Sequence, residues 1–450
     1  MRCEVHGAET RLTCAHCDVA ICPRCMQRTD VGLRCRDCAA PTRPPRSRRP
    51  RPGRLATTLI AVVAAIGAVV AVGSFDDEPS RSHGPPADLA LDEHATSRMQ
   101  GVVDELAAEA PGGIVAWVDT GKAQQGVAAG QADRRSDRPL TVDTAVAIGG
   151  VTDMVMATVA LQLVEEGKLE LDQPIAEVVP ELAADFEHGR TVTVRHLLGQ
   201  TSGLASFASD AFIDELRGHW SVEDGVLAAR CPQPDQGMDV LGFAAQQPPR
   251  FEPGDRVERI PTNDVVLQRV IEAVTDTPLA SVYRERVLAP LGMDDTWLRC
   301  AQNPRAEIAR GYAEADHSPV DAADAAIVDL TALDKPLGAP AAGLMSTGTD
   351  LATFTRALID GRLFDDAATL EAMRQPHPRG AGSSYGLGLE VDQGILGASS
   401  PASDYDVWVR YYPTADVVIV ASSNQAQPHS PTSREAVSGI LDELTADAGG

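Results

Sequence analysis

Lysine is nearly missing: the 450-residue chain has only Lys122, Lys168 and Lys335, so Arg supplies the rest of its 39 basic residues. This bias reads as the mark of a GC-rich coding sequence, with salt adaptation of an acidic surface as the lesser alternative. Positive charge is also missing from most of the chain. Residues 1–54 carry 12 Arg against five acidic residues, a net of +7, and residues 55–73 carry no charge. A whole-chain net of −25 then leaves −32 on residues 74–450. So acidic a body argues against nucleic acid as a partner, because neutralising phosphates requires clustered Lys and Arg. Cysteine is scarce after residue 38, where only Cys231 and Cys300 remain of nine. They could form a disulfide or stay buried singly.

What is present at 55–73 is LATTLIAVVAAIGAVVAVG, 19 uncharged residues in a row. At 1.5 Å per helical residue this run spans roughly 30 Å, the thickness of bilayer hydrocarbon. A cleaved secretory signal is not expected, since the run begins too far from Met1. Six Arg lie at 43–54, whereas FDDEPS follows on the far side. The positive-inside rule places the N-terminus in the cytoplasm and the C-terminal domain outside the cell membrane. The chain then divides into a head at 1–40, a basic juxtamembrane segment at 41–54, one transmembrane helix at 55–73, a linker at 74–88 and a large domain at 89–445.

In the head, Cys3, His6, Cys14, Cys17, Cys22, Cys25, Cys35 and Cys38 form four pairs, each with two intervening residues. That spacing lets both members of a pair reach one tetrahedral zinc ion, about 2.3 Å from each sulfur. Eight ligands suffice for two closed, structural sites, and metal binding would fold a segment too short to bury a core. A disulfide framework would sit in the reducing cytosol and leaves His6 unused. The pattern resembles a B-box-type zinc finger, and similar heads precede membrane spans in some actinobacterial membrane proteins. The resemblance implies cross-brace pairing, with one ion on Cys3, His6, Cys22 and Cys25 and the other on Cys14, Cys17, Cys35 and Cys38. It also implies a cytoplasmic protein partner.

The large domain alternates helical and strand-like segments. LDEHATSRMQGVVDELAAEA has helical spacing and stops at Pro111-Gly112-Gly113. GIVAWVDT and QQGVAAGQAD read as a hairpin around Gly121-Lys122, and a long helix follows over about 151–166, closed by Gly167. Near the end, YGLGLEVDQG, YDVWVRYYP and ADVVIVASSN read as strands and SREAVSGILDELTADA as a helix. Strands at both ends with helices between predict an α+β fold: one antiparallel sheet shared by both termini, with a helical insert.

Six pieces carry a resemblance over roughly residues 90–440: DTAVAIGGVTDMVMATVALQLVEEGKLELDQP, TVTVRHLLGQTSGL, FEPGDRVE, VLAPLGMDDTWL, AAGLMSTGTDLATF and YGLGLEV. They resemble serine hydrolases of the beta-lactamase-related, penicillin-binding-protein-like group, close to its class C and esterase branch. Such enzymes use S-x-x-K for the nucleophile and its base, Y-x-N for a proton-shuttling phenol, and K-T-G or H-x-G on a strand beside the cleft. Carried onto this chain, the Ser position is Gly150 and the Lys position is Asp153. The second motif falls on Arg259-Ile260-Pro261 and the third on about Ala398-Ser399-Ser400. No S-x-x-K and no Y-x-N exists anywhere in the chain, and no His or Lys has Gly two residues later.

Gly150 has no side chain to acylate. Asp153 replaces a cation with an anion, which would repel a carboxylate-bearing ligand. Family geometry would set it opposite Arg259, so the sequence predicts an Asp153–Arg259 ion pair that plugs the old pocket. GSSYG matches a nucleophile elbow at Ser384, but a strand-like segment follows it where that motif requires a helix. Ser202 reads as a turn residue and His196 as a paired core residue. The expectation is a pseudoenzyme whose outer domain binds a cell-wall fragment, a peptide or a partner protein, coupled through the membrane to the zinc head. An active esterase, peptidase or beta-lactamase-like hydrolase using non-standard residues is the alternative. A purely structural envelope protein is a third.

Overall fold

The computed structural model describes residues 27–29, 32–34, 89 and 91–446, apart from 109, 209, 230, 232–238, 315–325, 334–342, 381–382, 402–403 and 426–432. The eight expected zinc ligands and the run at 55–73 lie outside the described residues. Among the described residues no helix is long and apolar enough to cross a membrane, and no cluster of His, Cys, Asp and Glu could hold a metal ion. Two compact units divide the chain at Gly53. In the first, strand Gln27–Thr29 pairs antiparallel with Gly32–Arg34.

The second unit is built on a nine-stranded sheet whose neighbours all run antiparallel. In spatial order its strands are His377–Gly380, Ser383–Tyr385, Glu390–Asp392, Ile395–Pro401, Asp406–Tyr412, Val417–Ser423, Gly113–Asp119, Gln124–Asp133 and Arg138–Pro139. The two ends of the domain meet at its centre, where Val418 opposes Asp119 and Ser423 opposes Ile114. This is the α+β layout expected from the sequence. Gly121, at φ +73°, turns the hairpin between Gly113–Asp119 and Gln124–Asp133.

Alternation along the central strands divides the core, because successive side chains leave a strand on opposite faces. Ile114, Ala116, Val118, Ile419 and Ala421 pack against Met99 and Val103 of helix Glu93–Ala108 and Val437 and Ile440 of helix Ser433–Thr445. Val115, Val418 and Val420 face the other way, onto a larger core that includes helices Thr152–Glu165 and Gly348–Ile359. Both terminal helices thus cover one face of the sheet, and the helical insert covers the other.

Helix Thr152–Glu165 follows a 3₁₀ turn, Gly149–Val151, and Gly167 ends the segment at φ +67°. From Thr152 to Leu161 every residue is buried. An all-round apolar helix belongs in a core, and any charge on it must find a partner there. Asp153 is such a charge.

Cys231 and Cys300 are joined by a disulfide, with Cα atoms 5.3 Å apart, which settles the alternatives left open by the sequence.

Candidate functional site

The 3₁₀ turn Gly149–Val151 packs against strand Ile395–Pro401, so the start of the buried helix meets the strand that holds Ala398, Ser399 and Ser400. The Gly150 N–H donates to Ser400 Oγ at 2.9 Å. Ala398 is buried on the same strand, and its carbonyl accepts from Arg410 Nη1 at 3.0 Å. Ser399 Oγ donates to Glu390 Oε1 at 2.9 Å, and Arg410 Nη2 donates to Glu390 Oε2 at 2.9 Å. Strand Ile395–Pro401 is therefore tied into a second buried ion pair, Glu390–Arg410.

One helical turn after Gly150, Asp153 meets Arg259. Arg259 Nη2 lies 3.2 Å from both Asp153 Oδ1 and Oδ2, with side-chain exposures of only 12% and 8%. The Tyr385 hydroxyl donates to Asp153 Oδ2 at 3.3 Å. The guanidinium also takes the volume in front of Gly150. A Cβ built there would overlap Arg259 Nη1, Nη2 and Cζ, all well inside the 3.0 Å that real Cβ atoms keep.

Arg259 is aimed by its backbone neighbours. Gln200, buried and at φ +55°, accepts the Glu258 N–H on its carbonyl at 2.9 Å. Its side-chain Oε1 accepts the Ile260 N–H at 3.1 Å and Asn263 Nδ2 at 2.7 Å. The chain is thus held on both sides of Arg259. Pro261 occupies the N-cap position of helix Thr262–Thr275 at φ −58°, a conformation its ring imposes. Ser202 Oγ donates to Asn263 Oδ1 at 2.5 Å and accepts the Leu204 N–H at 3.1 Å, so it shapes a turn and braces the Arg259 segment together.

Burial pushes the Asp153 carboxyl upward, while the Arg259 charge and the Tyr385 hydroxyl pull it back. Burial opposes the charge on Arg259, but Asp153 and then Asp264 outweigh it, so the guanidinium stays protonated. Burial, then the charge of Asp153, lifts Asp264 well above the ordinary carboxylate range. The same two causes raise the Tyr385 hydroxyl, which remains a donor. Chemically the arrangement is an internal ion pair. Position 150 offers no nucleophile, its N–H is engaged by Ser400, and the carboxylate one turn on is neutralised by its partner.

The structure brings Gly150, Asp153 and Arg259 together, and sets Pro261 and the strand of Ala398 beside them. Two sequence readings change. His196 is half-buried and acts at a helix start: its Nδ1 accepts the Thr193 N–H at 3.2 Å, and Thr193 Oγ1 accepts the His196 N–H at 3.3 Å. It is a capping residue of helix Val194–Leu198, not a core one. Ser202 does more than turn the chain. Ser384 lies on strand Ser383–Tyr385 and donates to the Val391 carbonyl at 2.5 Å, with no following helix to make an elbow. Sequence reasoning missed Tyr385, Ser400 and Gln200 as partners; YGLGLEV and GQTSGL contained two of them, but only the fold shows what they touch.

A protein-family profile described as Beta-lactamase matches residues 96–440. The chain belongs to the beta-lactamase family. Relatives in this beta-lactamase group include Esterase EstB of Burkholderia gladioli, 33% identical over 214 residues, a match covering 45% of this chain and 50% of the esterase. Penicillin-binding protein 4 of Amycolatopsis lactamdurans is 28% identical over 256 residues, covering 55% of this chain and 61% of that protein. The matches thus span half to about three-fifths of these two relatives. Among solved structures, a D-stereospecific amidohydrolase from Streptomyces sp. aligns at TM-score 0.64 and 25% identity, covering 78% of this chain and 99% of its own. Fold and family are therefore those of serine hydrolases, and the site inside the fold is filled by an ion pair.

Proposed function

We propose that this chain is a pseudoenzyme of the beta-lactamase family, anchored by one membrane span at 55–73, whose outer domain binds a cell-wall fragment, a peptide or a partner protein. One observation carries the reading: Arg259 fills the space of a side chain at Gly150 while pairing with Asp153 at 3.2 Å. An acyl-enzyme needs a nucleophile there and a base one turn later; this chain has neither. The Cys231–Cys300 disulfide supports an oxidising compartment for residues 89–445. The head at 1–40 would hold two structural zinc ions on Cys3, His6, Cys14, Cys17, Cys22, Cys25, Cys35 and Cys38 and engage a cytoplasmic protein.

The names of the relatives keep a second reading in view, an active hydrolase using other residues. Ser400 is its best candidate, as the hydroxyl that touches the helix start. Among the described residues its only hydrogen bond is the one it accepts from Gly150, so no base activates it. Turnover of a chromogenic ester by the purified full-length protein separates the two. None is expected above buffer, and turnover abolished by Ser400→Ala would establish the hydrolase instead. Metal analysis of the same preparation should find two zinc ions per chain, and none would show that the head at 1–40 holds no zinc.

A further inference from the structure

We propose that a cavity on the helical insert, lined by neither Gly150 nor Arg259, binds a small zwitterionic amino compound, an amino acid or dipeptide with both ends free. This rests on the ligand-binding reading above and gives it a place and a chemistry. The cavity has a volume of about 430 Å³, within the range of small-molecule sites. Its walls come from three segments: residues 184–190, Leu204-Ala205, and residues 245–249. Phe186, Leu204 and Ala205 are buried and make an apolar floor.

Charge sits on the rim. Arg190 is exposed and has no ion pair or hydrogen-bonded side-chain partner among the described residues, and the same holds for Asp185 and Glu187. Several other Arg side chains on the insert are paired, as in Arg195–Asp172 at 2.7 Å and Arg286–Glu166 at 2.7 Å, although the exposed Arg305 is not paired among the described residues. A concave surface that leaves a guanidinium and two carboxylates unpaired offers complementary partners to both ends of a zwitterion. The planar fork of Arg190 suits a carboxylate, and Asp185 and Glu187 suit an ammonium group. A simple anion would meet repulsion from the two carboxylates.

The walls are already fixed. The Gly189 N–H donates to the Phe186 carbonyl at 3.1 Å and the Thr191 N–H to the His188 carbonyl at 2.9 Å. Any Cβ at Gly189 would overlap the Ala183 carbonyl, so the turn packs too tightly to admit another residue. His188 Nδ1 stands 3.6 Å from Glu252, and the Arg250 N–H donates to the Gly203 carbonyl at 2.8 Å, tying the opposite wall to the floor. Prepositioned walls spare a ligand the ordering cost of binding. The floor also adjoins the plugged centre, since the Leu204 N–H donates to Ser202, which bonds Asn263 on the helix after Arg259.

The test is calorimetry on the full-length protein in detergent, with glycylglycine, N-acetylglycylglycine and glycylglycinamide as probes. Saturable binding of glycylglycine is expected at millimolar concentration or below, weakened at least about tenfold by capping either end, one lost charge contact being worth roughly that factor. Arg190→Ala should weaken glycylglycine by a similar factor but leave the amide-capped probe unchanged. Asp185→Asn with Glu187→Gln should likewise weaken glycylglycine but leave the acetylated probe, which has no ammonium group, no more weakly bound. No saturable binding of glycylglycine, or binding indifferent to Arg190→Ala, would overturn the site. Either result leaves the pseudoenzyme reading to the ester assay, which fails or holds independently of calorimetry.

Discussion

Arg259 stands where a side chain at Gly150 would have to go, and its guanidinium pairs with Asp153 at 3.2 Å. Gly150 and Arg259 are therefore mutually dependent: a side chain at one requires a different residue at the other. Two positions separated by more than a hundred residues are coupled by shared volume, and the charge of Asp153 holds Arg259 in place.

Gly150→Ser alone should destabilise the domain. Overpacking a filled core costs about 1–3 kcal/mol, and here the displaced group is a buried ion. Adding Asp153→Lys and Arg259→Tyr should recover part of that loss, so that the triple variant is less destabilised than the three single variants summed. Urea denaturation of all four proteins checks this, with simple additivity as the contrary result.

Removing one partner of the ion pair should cost more than removing both. Asp153→Ala or Arg259→Ala would leave an uncompensated buried charge, at about 3–5 kcal/mol. Asp153→Leu combined with Arg259→Met should come out closer to wild type than either alanine variant. Equal losses in single and paired variants would show that the pair carries no special weight.

A pH dependence should come from Asp406. Burial raises its carboxyl to about 6, against hydrogen bonds from Ser433, whose N–H lies 2.7 Å from Oδ2. A raised carboxyl binds its proton more tightly in the folded state, so stability falls as pH rises from near 4 to about 6 and then levels. The loss is on the order of 3 kcal/mol, from a shift of about two units at 1.36 kcal/mol each. Asp406→Asn should reduce the fall across that window in denaturation curves, leaving the part supplied by Asp350, whose carboxyl burial also raises to about 6.

The Cys231–Cys300 bridge closes a sequence separation of 69 residues. Chain entropy assigns such a loop about 4 kcal/mol, so Cys300→Ser or added reductant should lower the thermal midpoint clearly. An unchanged midpoint under reductant would mean that the bond adds little.

Much of the fold was legible because it rests on local patterns. The near-continuous apolar runs in GIVAWVD and VVIVASS mark central strands buried on both faces, and the apolar run from Met154 to Leu161, broken only by Thr158, marks a buried helix. The Asp153–Arg259 ion pair was also readable, since a resemblance supplies spacing and spacing supplies opposition. What was not readable depended on distance in sequence. Tyr385 lies 232 residues from Asp153 and Ser400 lies 250 from Gly150, so nothing local announces either bond. His196 misled because an apolar neighbourhood suggests burial, whereas the Thr193 cap lies three residues away and makes it a helix-start residue.

The most direct test treats the full-length wild-type protein with a fluorophosphonate and, separately, a penicillin, and reads its intact mass. The expected result is a mass unchanged by either reagent, with an active family hydrolase labelled alongside as a positive control. A stoichiometric adduct, mapped to Ser400 or to any other serine of residues 89–445, would contradict it.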